Sequence, residues 1–285
     1  MSVWSAIIQG IIQGLTEFLP ISSSGHLALY QHFTNKNVDN GLLFSVILHL
    51  GTLLAIFIMF RKTIAELFIE FFKAIGDIFT GKFKQNLNNP SRRLLVMLFI
   101  ACLPLFFIYI FKDFYEGLAN KPNLIIEGCC FLLTALLLFA ADRCVKGTKS
   151  EGDIKYRDAV VVGVVQAVLA PLPGVSRSGS TISTGLLAGF SKEFAVKFSF
   201  ILGIPTILGG CIFEISGAFK ELKMVDITPI IVGFLVSAIV GYLAMKLVEW
   251  IVKSDKFKIF TIYTTILGII VILIGLYEQF KVVLL

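Results

Sequence analysis

Apolar residues along this chain gather into six runs, each about the 20 residues that a helix needs to cross hydrocarbon. They lie near 41–60, 94–112, 122–141, 195–217, 228–249 and 258–279. Two further apolar stretches, near 10–30 and 160–190, are each broken by a polar segment containing glycine and proline. The first is Gln13-Gly-Leu-Thr-Glu-Phe-Leu-Pro-Ile-Ser-Ser-Ser-Gly-His26 and the second Gln166-Ala-Val-Leu-Ala-Pro-Leu-Pro-Gly-Val-Ser-Arg-Ser-Gly-Ser-Thr181. Their pattern predicts helix, turn and helix again, so that the chain dips into the membrane and returns. Between the first two spans, Lys62–Lys84 alternates apolar patches (Ile64, Leu67, Phe68, Phe71, Phe72, Ile75) with Glu66, Glu70, Lys73 and Asp77, which predicts an amphipathic helix at the interface.

The two broken segments are copies of one another. Gln13 and Pro20 recur as Gln166 and Pro173 at an offset of 153, and Ser24-Gly25 recurs as Ser178-Gly179 at 154. The offset of 154 also carries Phe44–Leu54 onto Phe198–Leu208 with Phe, Ser, Ile, Leu, Thr and Leu in register. The expected architecture is an all-α polytopic membrane protein, a single domain over 1–285. Repeat one is 1–141, with a re-entrant segment at 4–30 and three spans; repeat two is 158–285, with a re-entrant segment at 158–190 and three more. Three crossings per repeat send the second copy in from the opposite face, giving inverted topology with the two turns meeting near the midplane.

The composition agrees. Among 285 residues, 56% are hydrophobic and only 15% charged, and mean hydropathy is +0.88, more apolar surface than a soluble domain of this size could hide. The net charge of +6 sits in loops and serves as a topology signal, not as a nucleic-acid surface. With both polar segments re-entrant, Arg61, Lys62, Lys73, Lys82, Lys84, Arg92, Arg93, Arg143, Lys146, Lys149, Lys155, Arg157, Lys192, Lys197, Lys246, Lys253, Lys256 and Lys258 fall on one side. Lys36, Lys112, Lys121, Lys220, Lys223 and Lys281 fall on the other. Eighteen against six makes the first side cytoplasmic and puts both termini outside. Cys102, Cys129, Cys130, Cys144 and Cys211 lack the spacing of a metal site or disulfide framework and read as small core residues. Trp4–Leu19 lacks the pattern of a cleaved signal and is expected in the mature structure.

The chemistry is concentrated in the two turns. Glu17 is an ionisable group inside an apolar segment, which costs about 2.5–3.5 kcal/mol at a helix centre, so it should face a wet cavity. Gln13, one turn earlier, shares its face. Ser22, Ser23 and Ser24 precede Gly25 and His26 in a sequence suited to capping a helix and turning several N–H groups toward one anion. The second turn supplies Ser176, Arg177, Ser178, Gly179, Ser180 and Thr181. Arg177 at membrane depth needs an acidic partner or an anionic ligand, and its fork matches two phosphate oxygens. A purely structural Arg177–Glu17 pair is the bland alternative, and a core histidine is the bland alternative for His26. His49 fits a cavity wall and a buried, hydrogen-bonded side chain equally well. Together the inventory suits phosphoryl transfer on an amphipathic phosphate or diphosphate: a serine attacks or orients water, and His26 or Glu17 handles protons.

These two motifs closely resemble those of the undecaprenyl-diphosphatase family of bacitracin-resistance proteins, over essentially the whole chain. The resemblance implies hydrolysis of undecaprenyl diphosphate to the monophosphate and phosphate in the bacterial plasma membrane, recycling the carrier lipid for peptidoglycan synthesis. It places the family's catalytic serine on Ser23, its histidine on His26, its acid on Glu17 and its arginine on Arg177. Ser22, Ser24, Gly25, Ser176, Ser178, Gly179, Ser180 and Thr181 are then expected around the diphosphate. The resemblance implies a divalent cation, Mg²⁺ or Ca²⁺, with Gln13 and Glu17 positioning metal or water, although Gln13 replaces a carboxylate found in many relatives. Implied partners are a polyprenyl diphosphate and the bilayer, with no nucleic acid and a homodimer left open. The charge count opens the site to the outer face. The alternative is a lipid-phosphate flippase or anion transporter, since inverted repeats with broken helices also build carriers. The other major class of membrane lipid phosphatase needs a Ser-Arg followed by His; here His26, His32 and His49 all precede Ser176-Arg177.

Overall fold

The computed structural model describes residues 1–34, 41–83, 85–111, 115, 117, 124–144, 146–221 and 226–284. Lys36, Lys84, Lys112, Lys121 and Lys223, used above in the charge count, lie outside the described residues, as do residues 122–123 at the start of the third span.

Among the described residues the fold is helical, with one isolated bridge between Lys149 and Phe190. In chain order the helices are α1 Val3–Phe18, α2 Ser23–Thr34, α3 Gly41–Met59, α4 Arg61–Thr80, α5 Pro90–Ile108, α6 Leu124–Arg143, α7 Tyr156–Leu169, α8 Arg177–Leu187, α9 Lys192–Glu221, α10 Ile227–Lys253 and α11 Lys258–Leu284. Six of them (α3, α5, α6, α9, α10 and α11) are long and apolar enough to cross a membrane, and the chain is a multi-pass membrane protein. They correspond to the six runs read from the sequence, with shifted ends. The second starts earlier, at Pro90, because Asn89 Oδ1 accepts from the amides of Ser91 and Arg92 and caps the helix there. α9 continues to Glu221, beyond the apolar run.

The polar segments are helix pairs, α1–α2 and α7–α8, in which α1 and α7 stop short at the turn. Small residues bring α1 against α10: a side chain added at Gly10 or Gly14 would meet Gly233 O at 3.0 Å or Ser237 O at 2.7 Å. In a bilayer, where lipid is as apolar as the helix, such close backbone approach drives association. Gly128 of α6 meets Gly268 of α11 in the same way, and Gly163 of α7 meets Ala101 of α5.

At one end of the bundle the charged residues lock together. Arg92, 1% exposed, donates to Glu70 Oε2 at 3.0 Å and Asp77 Oδ2 at 2.8 Å, fastening the amphipathic α4 to α5. Phe68, Ile69, Phe72, Ile78 and Phe79 of α4 stay exposed, as an interfacial helix requires. Lys149 pairs with Asp158 at 2.9 Å, and Asp255 takes both Lys146 and Lys192. These hydrogen bonds pull Asp255 down to about 2.

Candidate functional site

The two turns meet inside the bundle. A side chain at Gly25 would touch Gly174 Cα at 3.1 Å, and one at Gly179 would touch Pro20 O at 3.2 Å, so each turn presents a glycine to the backbone of the other. Ser178 Oγ also donates to Leu19 O at 3.3 Å, and the Ser176 amide donates to Thr134 Oγ1 of α6 at 3.1 Å.

Each outgoing helix begins at a serine cap. Ser22 Oγ accepts from the Gly25 amide at 3.2 Å, and Ser176 Oγ from the Gly179 amide at 3.0 Å. The first residue after each cap then reaches Glu17 of α1: Ser23 from α2 and, across the repeats, Arg177 from α8. Glu17 stands between them. Its Oε1 accepts from Arg177 Nη2 at 2.6 Å, and its Oε2 accepts from Ser23 Oγ at 2.8 Å and Gln13 Nε2 at 3.0 Å. Glu17 is 8% exposed; at that burial a carboxylate without Arg177 would be strongly disfavoured, and the pair is required for the site to exist. Arg177 is pinned further by Ser199 O, which accepts from Nη1 at 3.2 Å, and by Gly203, where a Cβ would lie 2.8 Å from Nη1.

A cavity of about 810 Å³ opens beside this cluster, within the range of small-molecule sites. Glu17, Ser23, Ser24, Ser176, Arg177 and Ser178 line its polar end, and the remainder is largely aliphatic and aromatic. The other predicted residues do not line it. Ser22 and Gly25 form the α2 cap. Ser180 and Thr181 are buried, with hydroxyls donated to Ser176 O at 2.8 Å and Arg177 O at 2.9 Å, and Thr181 Oγ1 lies 2.6 Å from Ser199 Oγ. Gly179 closes against the first turn, and Gln13 is fully buried behind Glu17.

The histidines divide differently from the sequence expectation. His26 is directed away from the cavity: Nδ1 lies 2.6 Å from Ser22 O and Nε2 2.7 Å from the Tyr263 hydroxyl of α11, with the ring stacked on Tyr263 and edge-on to Phe131. His49 of α3 lines the cavity. Its Nδ1 lies 2.9 Å from Ser45 O, and its Nε2 is turned toward Glu17 Oε2, 3.9 Å away. The available signal was positional: Ser45 and His49 are one turn apart, and His49 is in register with Gly203, the residue beneath the guanidinium. Tyr263 carried no such signal, because a tyrosine in an apolar span fits lipid contact equally well.

The chain is similar throughout its length to known proteins. The family model described as bacitracin resistance protein BacA matches residues 6–270. A protein named undecaprenyl-diphosphatase from Alkaliphilus metalliredigens is 40% identical over 278 residues, covering 97% of this chain and all of that one. Proteins of the same name from Carboxydothermus hydrogenoformans (36% identical, 96% of this chain and 98% of that one) and Methanosphaera stadtmanae (37%, with 96% and 99%) match similarly.

Proposed function

The chain belongs to the bacitracin resistance protein BacA family, and from that premise we infer its activity: it hydrolyses undecaprenyl diphosphate to undecaprenyl phosphate and inorganic phosphate. This regenerates the carrier lipid for cell-wall synthesis and underlies bacitracin resistance. The observation that carries the reading is the cluster at the polar end of the cavity, where one buried carboxylate holds the Arg177 guanidinium through one oxygen and the Ser23 hydroxyl through the other. A planar fork beside two helix N-termini suits a diphosphate, and the apolar remainder of the cavity suits its lipid.

In the proposed mechanism the diphosphate takes Arg177, which stabilises charge developing on the terminal phosphoryl group. Ser23 either attacks the terminal phosphorus, giving a phosphoserine that water then hydrolyses to free phosphate and the serine, or orients water to attack directly. In both cases the bond from that phosphorus to the bridging oxygen breaks, its electron pair leaves on undecaprenyl phosphate, and Glu17 takes the proton of the attacking hydroxyl or water. The Ser23 proton is already directed at Glu17 Oε2, so the carboxylate polarises the hydroxyl. Ser24, Ser176 and Ser178 offer hydroxyls to the phosphates, while Ser22, Gly25, Gly179, Ser180 and Thr181 hold the two turns in shape. His26 acts by fixing the α2 turn through Ser22 and Tyr263.

Among the described residues no three His, Cys, Asp or Glu side chains gather as a metal cage. Glu17 lines the cavity and would supply the carboxylate oxygen for a divalent cation held chiefly by the diphosphate, whereas Gln13, buried behind it with its amide nitrogen on Glu17 Oε2, would act only by positioning that carboxylate. Bound there, the cation would neutralise diphosphate charge. The orientation proposed is that of the charge count, with both termini and the site on the outer side of the plasma membrane; a homodimer belongs to the same set of expectations.

Purified protein in detergent is expected to release phosphate from undecaprenyl diphosphate, and Arg177→Ala to abolish that release. A carrier using the same broken helices would instead show compartment-dependent lipid movement without phosphate release. Alkylation of an engineered thiol at Ser24 by a membrane-impermeant reagent in intact cells tests the outward opening; labelling only after lysis would reverse it.

A further inference from the structure

The two repeats differ most where they should be alike. In repeat one, α3 packs along α10, whereas in repeat two the equivalent α9 barely meets α5. The residues explain the difference. Gly51 of α3 sits so close to α10 that a side chain there would collide with Phe234 O at 2.5 Å, and Ala55 and Ile56 on the next turn are fully buried. At the offset of 154 these become Pro205, Gly209 and Gly210. Pro205 and Gly210 are exposed, and among the described residues a side chain at Gly209 or Gly210 would meet nothing within 4 Å. Across the cavity α5 presents Leu105 and Phe106, next to Pro104 in its interior. A proline removes one helical hydrogen bond and bends its helix; α5 and α9 each contain one, Pro205 lining the gap and Pro104 lying on the side of α5 toward α7.

This gap is the apolar limb of the cavity that holds Arg177. Leu105 and Phe106 of α5 and Ile207, Gly209 and Gly210 of α9 line it, and Phe106 is also 73% exposed, so the limb reaches the lipid-facing surface of the bundle. We propose that the α5–α9 gap is a lateral portal that seats the polyisoprenoid chain of the substrate, with its head at Arg177 and its tail passing between the two helices over Gly209 and Gly210 into the bilayer. The occupant follows from continuity: for a lipid whose phosphates lie at the polar end, this limb is, among the described residues, an apolar route from there to hydrocarbon within the same cavity. A closed wall like that of α3 on α10 would force the tail of every bound molecule to stay inside about 810 Å³, a volume suited to drug-sized ligands and too small for a long polyprenyl chain.

The proposal rests on the diphosphatase reading, and the test separates the two. Phosphate release is measured from undecaprenyl diphosphate and from farnesyl diphosphate, whose short chain ends within the limb. Gly210→Phe fills open space, so folding should be retained. It is expected to raise KM for undecaprenyl diphosphate about tenfold or more while leaving farnesyl diphosphate within about threefold of wild type, the asymmetry of a steric change at the tail alone. Unchanged KM for the long substrate, or an equal loss on both, would overturn the portal; wild-type protein that hydrolyses neither would sink the activity itself. A second measurement does not depend on turnover. Maleimide alkylation of Gly210→Cys, read by peptide mass spectrometry, should be slowed by undecaprenyl phosphate and not by inorganic pyrophosphate. Equal slowing by a diacyl phospholipid would identify the gap as an ordinary annular-lipid contact and overturn the proposal.

Discussion

The turn before α2 and the turn before α8 share one backbone device and carry different chemistry. In each, a serine caps the glycine amide three residues on, a second serine hydroxyl lies nearby (Ser22 to Ser24 3.3 Å, Ser176 to Ser178 3.2 Å), and the cap carbonyl takes a side chain one turn along. That side chain is His26 in one copy and Ser180 in the other, at 2.6 and 2.8 Å. At the position after the cap the copies part: Ser23 against Arg177. Around it they part again, Glu17 against Ala170 and His49 against Gly203. The cap bonds are made by backbone and hydroxyl groups that face inward, so the neighbouring side chain is free to differ. Because the helices approach from opposed directions, equivalent positions bring a hydroxyl and a guanidinium to the two oxygens of one carboxylate. A duplicated scaffold has become a single asymmetric site.

The strongest way to break this comparison is to remove the guanidinium. Arg177→Ala should lower kcat/KM for undecaprenyl diphosphate by about 1,000-fold or more, the scale of an arginine that stabilises phosphoryl charge. It should also destabilise by about 3–5 kcal/mol, since Glu17 is left charged and buried. Glu17→Gln combined with Arg177→Met should recover most of the stability and none of the activity, as read by thermal unfolding in detergent beside phosphate release. A double variant as unstable as Arg177→Ala would mean that the pair matters for packing and not for charge. Ser23→Ala, on the other oxygen, should cost about 100-fold to 10,000-fold in kcat with little change in stability, because it removes a proton-transfer or nucleophilic group and opens no void.

Exchanging residues across the repeats sharpens the same contrast. Gly203→His places a ring where the guanidinium lies, with Cβ already 2.8 Å from Nη1. Arg177 cannot yield without leaving Glu17 and Ser199, so activity should fall about 100-fold. The reciprocal His49→Gly leaves the ion pair in place and removes one cavity wall. Its expected cost is about tenfold in kcat/KM, with the Arg177 contact to Glu17 intact in a solved structure of the variant. Equal losses in the two variants would show that His49 is as central as the arginine.

Much of this was legible in the residue pattern because the physics is local or strongly penalised. Six spans declare themselves by length and hydropathy, and Glu17 and Arg177 by their cost at depth. The serines and glycines mark the turns because few other residues cap a helix or allow close backbone approach. Side-chain direction was less legible. His26 follows the serines in sequence, yet a position on the first turn of α2 turns its ring toward α11, where Tyr263 takes it; only packing between distant helices decides that. His49 reached the cavity by the same kind of long-range packing. The mismatch between α3 on α10 and α9 on α5 was equally hidden, since Ala55-Ile56 against Gly209-Gly210 reads as a trivial change until the opposing helix is in place.

The finest test of the shared cap is one substitution made in both copies. Ser22 sits at φ +76° and Ser176 at φ −79°, although their hydroxyls make the same bond to a glycine amide. A serine in the left-handed region carries about 1–2 kcal/mol of strain that glycine would not. Glycine also loses about 0.5–1 kcal/mol more chain entropy on folding, and replacing a cap hydroxyl by glycine costs only a few tenths. Ser22→Gly should therefore leave thermal stability in detergent unchanged or slightly raised, while Ser176→Gly, with no strain to relieve, should lower it by about 1 kcal/mol. The strain at Ser22 is what sets the entry angle of α2 and directs Ser23 at Glu17, so Ser22→Gly should still lose about two- to fivefold in kcat as the turn loosens. Equal stability changes at the two caps would mean that the left-handed serine is no more strained than its partner, and that the two turns differ in their side chains alone.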